Sequence, residues 1–488
     1  MKDKTRDILE DIEYIDPDAA SIVESLRSIG YTMETAIADL IDNSITAGAR
    51  TISIDSPFDG AKTKIYILDD GKGMCEDTLV KAMRLGSSSA SQKRSPKDLG
   101  RFGLGLKTAT FSQCKKLSVI TKHNDIISAR CWDLDKIIET NSWCLLKHVD
   151  EEYVKQLQNM ESGTLVVWEK LDRIISEKDS KAESNFNNKK SILRRHLSLT
   201  FHRFIERGSL TIKIGGQPVV PWNPFLPHKS SSLKKELPPV ELNGGKVIVK
   251  GWVMPHRNYF TDKEYKDAGF RKGWTVMQGF YIYRGDRLLT AGGWLGLKPD
   301  GTAMLQEHHY DLGRISVDIT NDEDFDWDID IKKSKATPPD YLRNDLGQVA
   351  KRIRKMAYDT YSYRGNKKPY SPKKGKEYIP LWNTVQERNG KLFYSLNNNY
   401  PFVKDLLESL DAENVAKLKR LLKLIAETIP AESIGFEASK SNSKRMSSPY
   451  EDSESELKDI RDRLIESFMN RGMSREDAEE QVEFTLNL

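Results

Sequence analysis

Three glycines fall within six positions in the run GRFGLGLKTATFS, at Gly100, Gly103 and Gly105, and then give way to a lysine, hydroxyls and apolar residues. Glycine admits positive φ and lets another group press against the backbone, so such a run can present peptide N–H groups to phosphate oxygens. The residues after Gly105 read as a helix start, which adds unpaired donors and a positive dipole end. The spacing excludes two common nucleotide folds. Leu106 separates Gly105 from Lys107, so there is no P-loop. The order Gly100-x-x-Gly103-x-Gly105 also reverses the G-x-G-x-x-G of a dinucleotide-binding unit. A glycine-rich turn alone is more often a tight loop than a cradle, so the choice rests on the segments around it.

Those segments belong to a chain of 488 residues, longer than one core supports, which predicts two or three domains. No run approaches about 18 consecutive apolar residues, and the opening MKDKTRDILEDIEYIDPD lacks an apolar signal core, so a cytoplasmic protein with no membrane partner is expected. The four cysteines, Cys75, Cys114, Cys131 and Cys144, form no C-x-x-C pair and are expected to be buried thiols. Net charge is +4, but the residues from Glu451 onward hold twelve acids against five bases. The remainder is therefore basic enough to permit, without requiring, attraction to polyanions.

Strand-like runs (TISID, IYILDD, KLSVITK, IISARCWDL, GTLVVWEKL) alternate with helical ones to about Pro221, predicting an α/β sandwich with a mixed sheet over residues 1–222. A proline-, serine- and lysine-rich stretch follows. A second α/β unit over 236–345 then begins at KVIVKGWVM and ends near DWDIDIKKSKATPP. Residues 346–435 read as an exit helix, a basic segment and further helices, with Leu418, Leu421, Leu422, Ile425 and Ile429 on one face. A serine-rich linker at 436–453 precedes a small acidic helical tail at 454–488, where Gly472 closes one helix and Ser474 with Asp477 opens the next.

Chemistry concentrates in the first unit. In METAIADLIDNSITAGA, Met33, Ile37, Leu40, Ile41 and Ile45 make an apolar stripe, and Asp39 and Asn43 share another face one turn apart. A carboxylate beside a neutral amide oxygen offers a proton acceptor next to a Mg2+ ligand. Asp42 neighbours Asn43 and is expected to act through solvent. The strand IYILDD delivers Asp69 into a turn on Gly71 and Gly73, where a carboxylate can accept from an exocyclic amine and glycines let a flat ring approach. A solvated helix face and a plain hairpin turn are the bland alternatives for these two segments.

The order of Asp39 and Asn43 on a helix, Asp69-x-Gly71-x-Gly73, Gly100-x-x-Gly103-x-Gly105, and Gly163-Thr164 in a strand resembles the four-motif nucleotide site of the GHKL ATPase superfamily. That group includes MutL-type repair proteins, type II topoisomerases, heat-shock chaperones, histidine kinases and MORC proteins. The resemblance implies a Bergerat-type α/β sandwich ATPase domain, a βαβ transducer-like α/β domain and a helical C-terminal region. It implies ATP and Mg2+ as cofactors, with Asn43 as metal ligand. Asp69 is implied as adenine-amine acceptor in a turn with Gly71, Gly73 and Met74, and Thr164 as its water-mediated support. Gly100, Arg101, Phe102, Gly103, Leu104, Gly105 and Lys107 would hold phosphates, and LGSSSASQKRSPKDLG would be the ATP lid.

Asp39 stands where hydrolytic relatives usually have glutamate, one methylene longer, so slow ATP hydrolysis is expected. Thr46 replaces an acid common in the family. In the second unit, IDIKKSK resembles the loop whose lysine meets the γ-phosphate, which selects Lys335 first and Lys333 next. Among the branches, AIADLIDNSITAGA and GRFGLGLKTATFS look most like prokaryotic MORC relatives. An ATP-gated homodimeric clamp acting on DNA in restriction or anti-phage defence is the implied function. YSYRGNKKPYSPKKGKEY is its candidate DNA contact. The alternative is a nucleotide-sensing scaffold that recruits partner proteins through its C-terminal helices with little turnover.

Overall fold

Apolar alternation gives way to a continuous apolar run in the strand Gly163–Glu169, six of whose seven residues are buried, the pattern of a strand covered on both faces. The computed structural model describes residues 18–488 apart from 86–104, 177, 230–233, 271–272, 325, 331–332, 334, 363–378, 387–391, 429–453 and 487–488. Two compact units divide at Tyr361 and Ser362.

In the first unit, β1 (Thr51–Asp55), β2 (Ile65–Asp69), β3 (Lys116–His123), β4 (Ile126–Asp133), β5 (Gly163–Glu169), β6 (Thr211–Ile214) and β7 (Gln217–Pro218) form one sheet in the order β4-β3-β5-β2-β1-β6-β7. β1 and β6 are parallel and the other neighbours antiparallel. β5 lies centrally, which explains its apolar run. The helices Ala19–Arg27, Met33–Thr46, Gly105–Phe111 and Ala182–Thr200 set Val23, Ile37, Ile41, Phe111, Leu193 and Leu197 into one core with Ile52, Ile54, Ile67, Leu117 and Val119. On a separate cluster, the helix Glu151–Gln158 packs Tyr153 and Leu157 with Ile120, Leu165 and Val167. Each fully buried aliphatic side chain contributes about 1.5–3 kcal/mol.

The same unit continues into a second sheet of β8 (Lys235–Glu236), β9 (Val240–Leu242), β10 (Val247–Val253), β11 (Gly279–Arg284), β12 (Arg287–Ala291) and β13 (Gly313–Ile319). Its order is β12-β11-β13-β10-β8, with β9 also on β10 and β11 parallel to β13. The helix Asp340–Ser362 buries Leu346, Val349 and Ile353 with Val249, Ile315 and Val317. A short pair, β14 (Asp328–Ile329) with β15 (Ala336–Thr337), carries the loop of the two candidate lysines.

In the second unit, a core of Tyr400, Leu464, Ile465, Phe468, Ala478 and Val482 joins the helices Glu454–Asn470 and Arg475–Leu486. This region is not wholly helical as expected: β16 (Trp382–Gln386) and β17 (Leu392–Leu396) form an antiparallel hairpin. Aromatic and β-branched residues in both runs favour strands, and Asn389-Gly390 between them is the sequence signal for a hairpin turn. The helix Ala412–Glu427 buries none of its residues, and Leu421, Leu424 and Ile425 stay exposed. Ile429 lies outside the described residues. Among the cysteines, Cys114 and Cys131 are buried, Cys144 is half-buried and Cys75 is exposed, because Cys75 precedes the first turn of the helix Glu76–Met83.

Candidate nucleotide-binding site

The helix Met33–Thr46 is fixed at its start by a reciprocal capping box between Thr32 and Thr35. Its apolar residues face the sheet, and Asp39 and Asp42 are nevertheless buried, at 2% and 0% exposure, while Asn43 one turn beyond Asp39 is exposed. Asp39 Oδ2 accepts from the Tyr31 hydroxyl at 2.9 Å. The Lys333 ammonium lies 3.2 Å from Asp39 Oδ1, within ion-pair range, and among the described residues that oxygen accepts no hydrogen bond. Burial raises the Asp39 pKa above the usual carboxylate value; Lys333 opposes the rise, the Asp42 charge adds to it, and Arg287 and Tyr31 oppose it.

Asp42 corrects the expectation of a solvent-facing acid. Arg287 Nε donates to both of its oxygens, at 2.9 and 2.8 Å, and Lys333 Nζ donates to Oδ2 at 2.6 Å. Arg287 comes from β12 and Lys333 from the loop between β14 and β15, so the second sheet supplies one cation and the separate β14–β15 pair the other. Thr46, the residue in place of an acid, donates to the Asp42 carbonyl at 2.9 Å.

Asp69 ends β2 and is 6% exposed. Ser44 donates its hydroxyl to Oδ2 at 2.7 Å and the Gly71 N–H donates to Oδ1 at 2.9 Å. Burial raises the Asp69 pKa and these two bonds oppose it. The glycines have steric reasons: a Cβ on Gly71 would lie 2.9 Å from Asp69 Oδ1, and on Gly73, at φ +63°, 1.9 Å from the Lys122 carbonyl oxygen. Thr164 pairs with Asp69 across β2 and β5. Thr121, not anticipated from the sequence, organises this corner: its Oγ1 accepts from the Met74 N–H at 2.9 Å, donates to the Gly163 carbonyl at 3.1 Å and lies 3.2 Å from Thr164 Oγ1.

The structure therefore brings Asp69, Gly71, Gly73, Met74 and Thr164 together. Gly105 opens its helix beside Asp39, since a Cβ there would lie 3.6 Å from Asp39 Oδ2. Gly100, Arg101, Phe102, Gly103 and Leu104 lie outside the described residues, as does most of the expected lid.

Two lysines differ from expectation. Lys107 is 2% exposed and donates its ammonium to the Ala82 carbonyl at 2.8 Å, and burial pushes its pKa down to about 8. Lys335 has an exposed side chain, whereas Lys333 reaches the carboxylates. The cause is the turn: Lys333 sits at φ +50° with its N–H on the Asp330 carbonyl, while the Lys335 N–H is taken by Asp330 Oδ1. Tyr31, Ser44 and Arg287 thus join the site beside Lys333, the second choice within IDIKKSK.

Residues 31–164 match the family model described as histidine kinase-, DNA gyrase B-, and HSP90-like ATPase. The chain carries a GHKL ATPase domain. Among curated proteins it is similar to ATPase morc-1 of Caenorhabditis elegans, 34% identical over 95 residues, covering 20% of this chain and 11% of that protein. It is also similar to Protein MICRORCHIDIA 6 of Arabidopsis thaliana, 35% identical over 95 residues, covering 18% of this chain and 14% of that protein. The chain therefore spans only a small part of either relative. A crystal structure of the ATPase and transducer domains of DNA topoisomerase II from Balamuthia mandrillaris aligns with a TM-score of 0.37 at 12% identity, over 68% of this chain and 85% of that one. The matched residues hold β1 to β5 of the seven-stranded sheet, and ATP binding is what that domain family implies. Among the described residues no helix is long and apolar enough to cross a membrane.

Proposed function

We propose that this chain hydrolyses ATP slowly in a Mg2+-dependent reaction, and that the ATP-bound form is a homodimeric clamp on DNA. The observation that carries the reading is Asp39: a buried carboxylate whose Oδ1 is held by an ion pair with the Lys333 ammonium, beside a glycine without a Cβ and one turn from an exposed carboxamide. That donor set fits a metal-bound triphosphate. Asn43 would hold Mg2+, which would neutralise charge on the phosphates. Asp69 would accept the adenine amine, with the Thr121–Thr164 pair supporting the ring edge. Asp39 would orient the attacking water from a position one methylene short of a glutamate's reach. Lys333, in preference to Lys335, would move from the carboxylates to the γ-phosphate and carry nucleotide state into the second sheet.

DNA is the proposed macromolecular partner because of the tyrosine- and lysine-rich sequence from Tyr361 to Tyr378, nearly all of it outside the described residues. A restriction or anti-phage setting rests on the likeness of the two motifs to prokaryotic MORC proteins. One observation favours the alternative of a nucleotide-sensing scaffold with little turnover: Tyr31 holds one Asp39 oxygen and the Lys333 ammonium faces the other. Phosphate release from Mg-ATP, with and without DNA, separates the two. The ATPase reading expects release that Asp39→Ala abolishes while nucleotide binding persists. Binding without any release by the wild-type chain would favour the scaffold.

A further inference from the structure

Arg287 was no part of the motif pattern, yet it makes four hydrogen bonds while 3% exposed. Its Nε meets both oxygens of Asp42, and its NH1 donates to the Leu288 carbonyl at 3.1 Å and the Lys333 carbonyl at 3.0 Å. Its NH2 lies 3.9 Å from Asp39 Oδ1. Two buried carboxylates thus face two buried cations, and the cluster is neutral. Removing a cation from such a set leaves a charge uncompensated, which is strongly unfavourable.

The two cations are not equivalent. Lys333 carries a point charge on a flexible stem, whereas the guanidinium of Arg287 is a planar fork locked by bonds on several sides. If the ammonium of Lys333 left for a phosphate, Asp42 would keep Arg287 and Asp39 would keep the Tyr31 hydroxyl. When Lys333 moves, each acid thus keeps one partner, and the charge uncovered on Asp39 is left to Arg287, whose NH2 lies 3.9 Å away, to compensate. Arg287 also grips the carbonyl of Lys333 itself, at a residue held at φ +50°, and so fixes the point from which the ammonium reaches.

We infer that Arg287 is a positioning residue that keeps Lys333 in register for a terminal phosphate, by tying the edge strand β12 both to Asp42 on the helix Met33–Thr46 and to the backbone of Lys333. This rests on the nucleotide reading above and adds to it the way in which the second sheet distinguishes a triphosphate from a diphosphate. Arg287 touches no phosphate itself.

The test is calorimetric, on the full chain with Mg2+, using ADP and a non-hydrolysable ATP analogue as probes. Arg287→Met, Arg287→Lys and Lys333→Met should each reduce the preference for the triphosphate about tenfold, the size of one charge-assisted hydrogen bond. ADP affinity should stay within about twofold. The double variant Arg287→Met/Lys333→Met should lose no more than either single change, because one residue acts through the other. A purely structural arginine would not produce this split between the two probes. If Arg287→Met does not fold, Arg287→Lys decides, since lysine can pair with Asp42 but cannot also hold the Lys333 carbonyl. An unchanged preference in the folded Arg287 variants, or losses that multiply in the double variant, overturns the inference alone. Failure of the wild-type chain to bind either nucleotide overturns the nucleotide reading and this inference with it.

Discussion

Replacing Lys107 with methionine should stabilise the chain at neutral pH and lose that advantage as the pH rises. The ammonium is buried against the Ala82 carbonyl, and its pKa falls from 10.5 to about 8. Between those values the unfolded chain binds more protons at this position than the folded one, so stability must rise with pH across that window. Below about pH 8 the penalty is fully present; above about pH 10.5 it is gone. At about 1.4 kcal/mol per pKa unit, the span corresponds to about 3 kcal/mol. Methionine occupies a similar volume and avoids burying the charge, but it leaves the Ala82 carbonyl without this donor, which returns about 1–2 kcal/mol of the gain. The variant should therefore be more stable by about 1–2 kcal/mol at neutral pH and less stable near pH 10.5. Urea unfolding of both proteins across this range measures the difference, in which other titrating groups cancel. Parallel stability curves would refute the buried-ammonium reasoning.

Burial raises the Asp39 pKa above 3.8, and only the carboxylate form can orient water, so phosphate release should decline on an acid limb whose midpoint lies above 3.8; a midpoint at or below that value contradicts the assigned environment. Gly73→Ala places a methyl 1.9 Å from the Lys122 oxygen at φ +63°, so it should destabilise by at least about 2 kcal/mol and abolish adenosine-nucleotide binding. A normal melting temperature with intact affinity would show that the turn tolerates a side chain. Thr121→Val removes the acceptor of the Met74 N–H and the donor to Gly163, and should cost about 1–3 kcal/mol together with a weaker ADP affinity. An unchanged affinity in calorimetry would take Thr121 out of the adenine corner.

Local periodicity carried most of the strands and helices. The stripe of Met33, Ile37, Leu40 and Ile41 locates its helix, and the spacing of Asp39 and Asn43 locates the face that matters. Helical spacing says which residues share a face, but not what covers that face. Asp42 read as solvated because its partners, Arg287 and Lys333, lie 245 and 291 residues further along the chain. The choice between Lys333 and Lys335 turned on one left-handed residue in a short loop, which lysine does not announce. Thr121 looked like an ordinary β-branched strand residue, and only the close approach of the Gly73 turn makes its hydroxyl a junction. The hairpin of β16 and β17 was legible in its aromatic alternation and in Asn389-Gly390, and the helical character of its neighbours obscured it.

The sealed quartet of Asp39, Asp42, Arg287 and Lys333 also bears on ionic strength. Mobile ions screen charges that face water over a Debye length of about 10 Å at 0.1 M, and they penetrate poorly where water is excluded. With exposures from 0% to 9%, these four side chains keep their mutual attraction in brine that would strip a polyanion from solvent-facing lysines. Concentrated sodium chloride should thus separate the molecule's two kinds of electrostatics, silencing its outer surface while leaving intact the inner conversation between the helix Met33–Thr46, β12 and the β14–β15 loop.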